Sequence, residues 1–261
     1  ADNAKIILRT TKKIYEIAEI EAAYKTFELE PDELTRALGG MKLLGINGAN
    51  VTIPYKQDFI PLLDSLSPLA ERLHSVNTIK NNAGKMEGYN TDYHGIGLTF
   101  SQRNWQVKDK SVYILGSGGA SHAAAHFFHD HGATSVTIVS RTPAGQDGKW
   151  NYIDYETLAT LTGDILVNCT PVGMYPKMDA SPVKKEVVAS FDIIFDAIYN
   201  PAETLFLKWA KELGKDHTNG LDMLVGQAIK SVEIWEDQEI SPEKITAILQ
   251  DFRDNWKGSS L

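Results

Sequence analysis

An α/β fold in two domains is what this 261-residue sequence predicts, on three observations. Strand-like and helix-like segments alternate along the chain, the pattern of sheets flanked by helices. Val112 to Arg141 reads strand, glycine turn, helix, glycine stop and strand, which makes one complete βαβ unit. A content of 43% hydrophobic and 9% aromatic residues can bury a real core, and the length favours two domains over one. No fixed-period repeat and no low-complexity tract interrupts the pattern.

In chain order, Tyr24 to Leu29 carries strand-type alternation. Pro31 to Leu44 is an amphipathic helix, with Pro31 suited to its first turn and Gly45 to its exit. In "GANVTIPYK", residues 48 to 56, Val51 and Ile53 alternate with Asn50 and Thr52. Pro54 ends that strand because it cannot donate to a sheet ladder, and Lys56 sits just past the tip. A helix is expected near Gln57 to Leu63, and Ser67-Pro68 is the N-cap and first-turn pair of the next one. Val76 to Lys80 and Met86 to Tyr89 flank the turn sequence Asn81-Asn82-Ala83-Gly84, a hairpin signal. Asp92 to Phe100 reads as a connecting helix, and the polar stretch Gln102 to Lys110 is the candidate linker.

Bulk properties exclude several function classes. Lys and Arg number 26 against 34 Asp and Glu, a formal net charge of -8. That balance argues against a nucleic-acid or membrane-surface binder and leaves any anionic ligand to a few locally placed cations. Cys169 is the single cysteine, which excludes an internal disulfide or a Cys-rich zinc site and suits a reducing cytoplasm. The longest early apolar run, Ile6-Ile7-Leu8, is too short for a signal peptide or a membrane span, so a soluble cytoplasmic protein is expected. The chain opens on Ala1 rather than methionine, which reads as a processed or partial product.

The βαβ unit carries the first chemical signal. In Gly116-Ser117-Gly118-Gly119-Ala120, Gly116 permits the tight turn and Gly118 lets the backbone approach a pyrophosphate; Ser121 takes the third small position. Backbone N–H groups and the helix dipole then point at phosphates, the arrangement of a Rossmann-type dinucleotide site. Serine in place of the usual glycine or alanine is a mild departure. NAD sites place an acid at the end of the second strand, whereas this chain has Ser140-Arg141-Thr142 there, with Asp147 deep in the following loop. A guanidinium flanked by hydroxyls suits a 2′-phosphate, so NADP is expected over NAD. Asp164 to Asn168 and Asp192 to Phe195 are two further strands whose trailing loops, "CTPVGMYP" and "DAIYNPAETLFLKW", are placed to meet a cofactor.

"GANVTIPYK", "SVNTI", "GYNTD", "GSGGAS", "NCTPVGM", "DAIYNPAETLFL" and "GLDMLVGQA" resemble, in order and spacing, the motifs of the shikimate dehydrogenases, from about Ala22 to Trp235. The resemblance implies an NADP-dependent oxidoreductase that oxidises a ring hydroxyl of shikimate to give 3-dehydroshikimate and, in the biosynthetic direction of the aromatic amino acid pathway, reduces the ketone. It implies a substrate domain over residues 1–101, completed by helices in 219–261, with a Rossmann domain over 102–218. It further implies that Lys56 and Asp92 form the catalytic pair, with Thr52, Asn77, Gln227 and Tyr199 as substrate contacts. Gly220 and Thr170, with Asn168, fall beside the nicotinamide. Hydride transfer from a carbinol carbon leaves a hydroxyl proton to be moved, and a lysine oriented by an aspartate suits that task. Neutral hydrogen-bonding side chains suit an alcohol-rich ring.

The first residues depart from the pattern. Family members usually open with a strand and a serine-x-serine-proline motif whose hydroxyls hold the substrate carboxylate, but this chain has no serine before Ser65 and no proline before Pro31. The expected serine positions fall near Lys5 and Ile7, and Thr10, Thr11 and Lys12 are the nearest candidate replacements. His122, His126, His129 and His131 read as a packed or solvated helix face rather than a metal site, Cys169 as a loop packer, and the acids Glu233, Glu236, Asp237 and Glu239 as a solvated helix end. A family member acting on another polyol acid such as quinate, with NADP or NAD, and a non-catalytic nucleotide-binding regulator stay open as alternatives. The expected assembly is a monomer or homodimer with no nucleic-acid or membrane partner.

Overall fold

The computed structural model describes residues 2–144 and 148–256. They form two compact units, one running to Gly95 and resumed over Leu224–Asp254, the other spanning Ile96–Met223 and joined by the chain from Asn255.

The first unit opens with α1 (Asp2–Ala18), whose buried face is Thr10, Thr11, Ile14, Tyr15 and Ala18, a helical spacing. After an irregular stretch, Pro31–Glu33 makes a 3-10 turn that leads into α2 (Leu34–Leu44), which Gly45 ends in the left-handed conformation (φ 63°). Then come β1 (Gly48–Asn50), β2 (Ser65–Leu66), α3 (Pro68–Leu73), β3 (Thr78–Asn82), β4 (Lys85–Tyr89) and α4 (Asp92–Gln102). Ser67 caps α3 by accepting from Ala70 N at 3.1 Å. The β3–β4 hairpin closes on Ala83 and Gly84, both at positive φ, in the manner of a type I′ turn, and Asn81 Oδ1 accepts from Gly84 N at 2.8 Å. The strands form a sheet in the order β1-β3-β4-β2, mostly antiparallel, with Leu34, Leu38, Met41, Val51, Phe59, Val76, Ile79 and Met86 as its core. Each such side chain contributes about 1.5–3 kcal/mol by leaving water.

The second unit holds β5 (Ser111–Leu115), α5 (Gly119–Asp130), β6 (Ser135–Val139), β7 (Asn151–Ile153), α6 (Tyr155–Leu158), β8 (Ile165–Asn168), α7 (Lys185–Ala189), β9 (Ile193–Asp196), α8 (Leu205–Glu212) and β10 (Asp216–Thr218). Its six strands are all parallel, in the order β10-β9-β8-β5-β6-β7, so strand order reverses between β5 and β8. Ligands of doubly wound sheets bind at that reversal, beyond the carboxyl ends of the strands. Buried on both faces, these strands are near-continuous apolar runs such as "ILVN" and "IIFD". Phe100 packs edge-on against Trp105, Phe128 and Phe195. Finally α9 (Leu221–Glu236) and α10 (Pro242–Asn255) return the chain to the first unit.

Several expectations are corrected here. Residues 24–29 are not a strand, since the sheet order leaves them no neighbouring ladder. Side chains anchor them instead, Tyr24 OH donating to Asn50 Oδ1 at 2.7 Å and Tyr55 OH to Leu29 O at 2.8 Å. The strand of the "GANVTIPYK" motif stops at Asn50, before the proline, and the following helix shrinks to turns and a 3-10 segment over Ile60–Leu62. The polar stretch 102–110 lies inside the second unit, with Val107 buried, and the chain passes between units within α4 and α9 instead.

Candidate functional site

In the first unit, backbone pairing brings Lys56 beside β3. Val76 N donates to Lys56 O at 2.8 Å, Val51 N to Asn77 O at 2.8 Å, and Asn77 N to Tyr89 O at 3.0 Å. Asp92 starts α4, where the helix dipole favours a carboxylate, and Asn90 Oδ1 accepts from its N–H at 3.1 Å. The result is an ion pair: Lys56 Nζ lies 2.6 Å from Asp92 Oδ2, with side-chain exposures of 23% and 11%. A lysine left this accessible, yet fixed by a nearly buried carboxylate, can exchange a proton with a bound hydroxyl.

Asn77 completes the pair. Its Nδ2 donates to Asp92 Oδ1 at 3.0 Å and to Thr91 Oγ1 at 3.0 Å, and its Oδ1 accepts from Thr91 N at 2.8 Å. A backbone N–H only donates and a carboxylate only accepts, so the amide has one permitted orientation. Behind it lies a buried hydroxyl cluster of Thr78, Thr91 and Ser231, reached by the Asn50 amide. Asn50, Thr78, Thr91 and Ser231 carried no role in the sequence reading. The signal for Ser231 was its place one helical turn from Gln227, two polar residues on the buried face of α9.

Other expected contacts are more loosely placed. Gln227 is buried and donates from Nε2 to Leu224 O at 2.9 Å, within its own helix. Thr52 is partly exposed, its hydroxyl 3.4 Å from Ile53 O. Thr10 and Thr11 are fully buried, so neither hydroxyl meets solvent or a ligand from it, and Lys12 lies on the exposed side of α1. The proposed carboxylate donors are therefore not presented by that helix.

In the second unit, the glycine turn between β5 and α5 fits a dinucleotide. Gly116 has φ 101°, in the left-handed region, and a Cβ there would meet Thr170 Cγ2 at 3.1 Å. Gly118, which has no side chain to cap with, is the N-cap of α5, and a Cβ added there would meet nothing within 4 Å among the described residues. Ser117, Gly118 and Gly119 are exposed, with Ala120 partly so, which leaves open space before the helix N-terminus for a phosphate. Ser121, fully buried, fills the third small position.

At the end of β6, Ser140 is buried and its Oγ accepts from Thr142 N at 3.2 Å, so the serine shapes the turn. Arg141 and Thr142 are exposed, and the Arg141 charge acts on the Tyr155 phenol, whose pKa burial raises. The residues present fit a 2′-phosphate; Asp147 lies outside the described residues.

The loops after β8 and β9 are tied by an acid that sequence reading overlooked. Asp196 is fully buried and accepts from Thr204 Oγ1 at 2.6 Å, Ile198 N at 3.0 Å and Asn168 Nδ2 at 3.1 Å. Burial pushes its pKa up to about 7, against those three donors, which favour the charged form. Asn168 Oδ1 in turn receives Thr170 N at 3.0 Å and Thr170 Oγ1 at 2.7 Å. Gly220 N donates to Ile198 O at 3.0 Å, and a Cβ at Gly220 would lie 2.0 Å from Ala197 O, so only glycine fits. Tyr199 is half-buried, its ring edge-on to Trp256 and its phenol pKa pushed up to about 12 by burial.

Among the described residues, no three His, Cys, Asp or Glu side chains gather as metal ligands, and no helix is long and apolar enough to cross a membrane. His126 is buried edge-on to Trp150, and His131 Nδ1 lies 2.7 Å from Phe127 O.

The chain is similar to known proteins of one family. Residues 9–79 match the family model of the shikimate dehydrogenase substrate binding domain. A shikimate dehydrogenase (NADP(+)) of Clostridium beijerinckii is 40% identical over 248 residues, covering 94% of this chain and 92% of its own. The crystal structure of shikimate dehydrogenase 1 from Peptoclostridium difficile superposes with a TM-score of 0.88 at 43% identity, covering 95% of this chain and 93% of that one. A chorismate mutase/shikimate 5-dehydrogenase fusion protein from Clostridium acetobutylicum gives a TM-score of 0.93 at 39% identity, covering 97% and 94%.

Proposed function

Since the chain belongs to the shikimate dehydrogenase family, we propose that Lys56 and Asp92 are the acid/base pair with which it interconverts shikimate and 3-dehydroshikimate, using NADP. The observation that carries this reading is the 2.6 Å ion pair, its carboxylate also held by Asn77. NADP, when bound, carries the hydride. In oxidation Lys56, as the neutral amine, takes the proton of the ring hydroxyl and becomes the ammonium that Asp92 holds; in reduction that ammonium returns the proton to the ketone oxygen. Asn77 supplies a ring-hydroxyl contact in this reading. Thr52, Gln227 and Tyr199 supply further neutral contacts, which reject analogues lacking a hydroxyl.

The second unit takes the cofactor in this reading. Gly116, Ser117, Gly118, Gly119 and Ala120 lie along the pyrophosphate, Ser140, Arg141 and Thr142 around the 2′-phosphate, and Thr170 and Gly220 beside the nicotinamide. The first unit, with α9 and α10, takes the substrate. The test is a reduced-nicotinamide absorbance assay with shikimate or quinate crossed with NADP or NAD. Shikimate with NADP is expected to give the highest kcat/KM. No cofactor reduction in any combination would sink the reading, and a quinate or NAD preference would redirect it.

A further inference from the structure

Ser231 lies in the interior of α9 and is fully buried, although serine there weakens a helix relative to alanine. Its hydroxyl donates back to Gln227 O at 3.0 Å. Its single proton being spent there, the oxygen serves as an acceptor. Asn50 Nδ2 donates to it at 3.1 Å, Thr78 Oγ1 lies at 2.8 Å and Thr91 Oγ1 at 3.3 Å. Thr91, its one proton given to Ser231, accepts from Asn77 Nδ2 at 3.0 Å. Ser231 therefore anchors the hydroxyl that receives one amide hydrogen of Asn77, and the other amide hydrogen holds Asp92.

We infer that Ser231 is a positioning residue for the acid/base pair, fixing Asp92, and so Lys56, through Thr91 and the Asn77 amide. This rests on the function proposed for Lys56 and Asp92. Without the serine oxygen, Thr78 and Thr91 lose a buried acceptor and gain rotamer freedom, and the Asn77 amide loses one of the partners that steady it. The ammonium then samples directions away from the reacting oxygen. Of the proposed substrate contacts only Asn77 is disturbed, with Thr52, Gln227 and Tyr199 unchanged, so the loss falls more on turnover than on binding.

The test is kinetic, with Ser231→Ala, Ser231→Cys and Asn77→Ala measured beside the parent and Lys56→Ala. Ser231→Ala should lower kcat roughly tenfold, less than the 100-fold or so that a displacement of about 1 Å costs, with KM for shikimate changing by less than about threefold. Ser231→Cys keeps the volume but accepts weakly, so it should lose kcat similarly with a melting temperature near the parent's. In an Asn77→Ala background, Ser231→Ala should cost little more, because its route to Asp92 is already gone. Unchanged kcat in both Ser231 variants would overturn the inference, as would losses that multiply independently with Asn77→Ala. If Lys56→Ala itself retains turnover, the reading of the pair fails first; if it abolishes turnover while the Ser231 variants are silent, only the role of Ser231 fails.

Discussion

Asn77 Nδ2 sits 3.0 Å from one oxygen of Asp92 while Lys56 Nζ sits 2.6 Å from the other. Each oxygen has its own donor, so the carboxylate cannot turn toward one without leaving the other. That double hold directs the lysine, and it gives a cheap lysine or amide substitution a large kinetic consequence.

Cofactor choice is tested at Arg141. Arg141 is exposed at the end of β6, and in the proposed reading its guanidinium pairs with the 2′-phosphate. Arg141→Ala should weaken NADP binding by about 1.5–3 kcal/mol and leave NAD affinity little changed. Titration calorimetry with both cofactors checks this. Equal losses for both would mean that the arginine shapes the loop.

Gly220→Ala should damage the second unit. The new Cβ would lie 2.0 Å from Ala197 O, a backbone atom that can move only with its strand end. A loss of about 1–3 kcal/mol or more in denaturant unfolding is expected, with weaker NADP binding. Parent-like stability would show that this close approach is not needed.

The buried Asp196 predicts a pH effect. Its folded pKa of about 7 exceeds the ordinary carboxylate value, so folding takes up a proton between the two. Stability contributed by this group is present below the unfolded value, falls as pH rises toward about 7, and is level above it. Asp196→Asn should flatten that slope in urea midpoints measured across the window. Parallel curves for parent and variant would contradict it.

How much of this was legible in the sequence depended on where the determining contacts lie. The glycine turn at 116–120, the Ser67 cap and the Ala83-Gly84 hairpin depend on local backbone chemistry, and local residues announced them. Residues 24–29 alternate as a strand does, yet a strand exists only with a neighbour, which no local pattern reports. Lys56 and Asp92 were recognised through motif resemblance, since nothing local says that residues so far apart in sequence meet. Ser231, Thr78 and Asp196 were overlooked because a buried polar side chain reads like any exposed one until its partners are known.

The N-terminal helix carries a further expectation. Thr10 is fully buried and its hydroxyl has no hydrogen-bond partner among the described residues. Thr10→Val keeps the shape and removes the desolvated hydroxyl, so it should be neutral or stabilising by about 1 kcal/mol. KM for shikimate should not move. A large rise in KM would return this residue to the substrate carboxylate.

The measurement that bears most directly on the central claim is turnover of Lys56→Ala with shikimate and NADP, with NADP affinity measured on the same preparation. The account predicts a kcat lowered by about 100-fold or more, the usual size of a lost acid/base, with cofactor binding nearly unchanged. Near-parent turnover in that variant would contradict it.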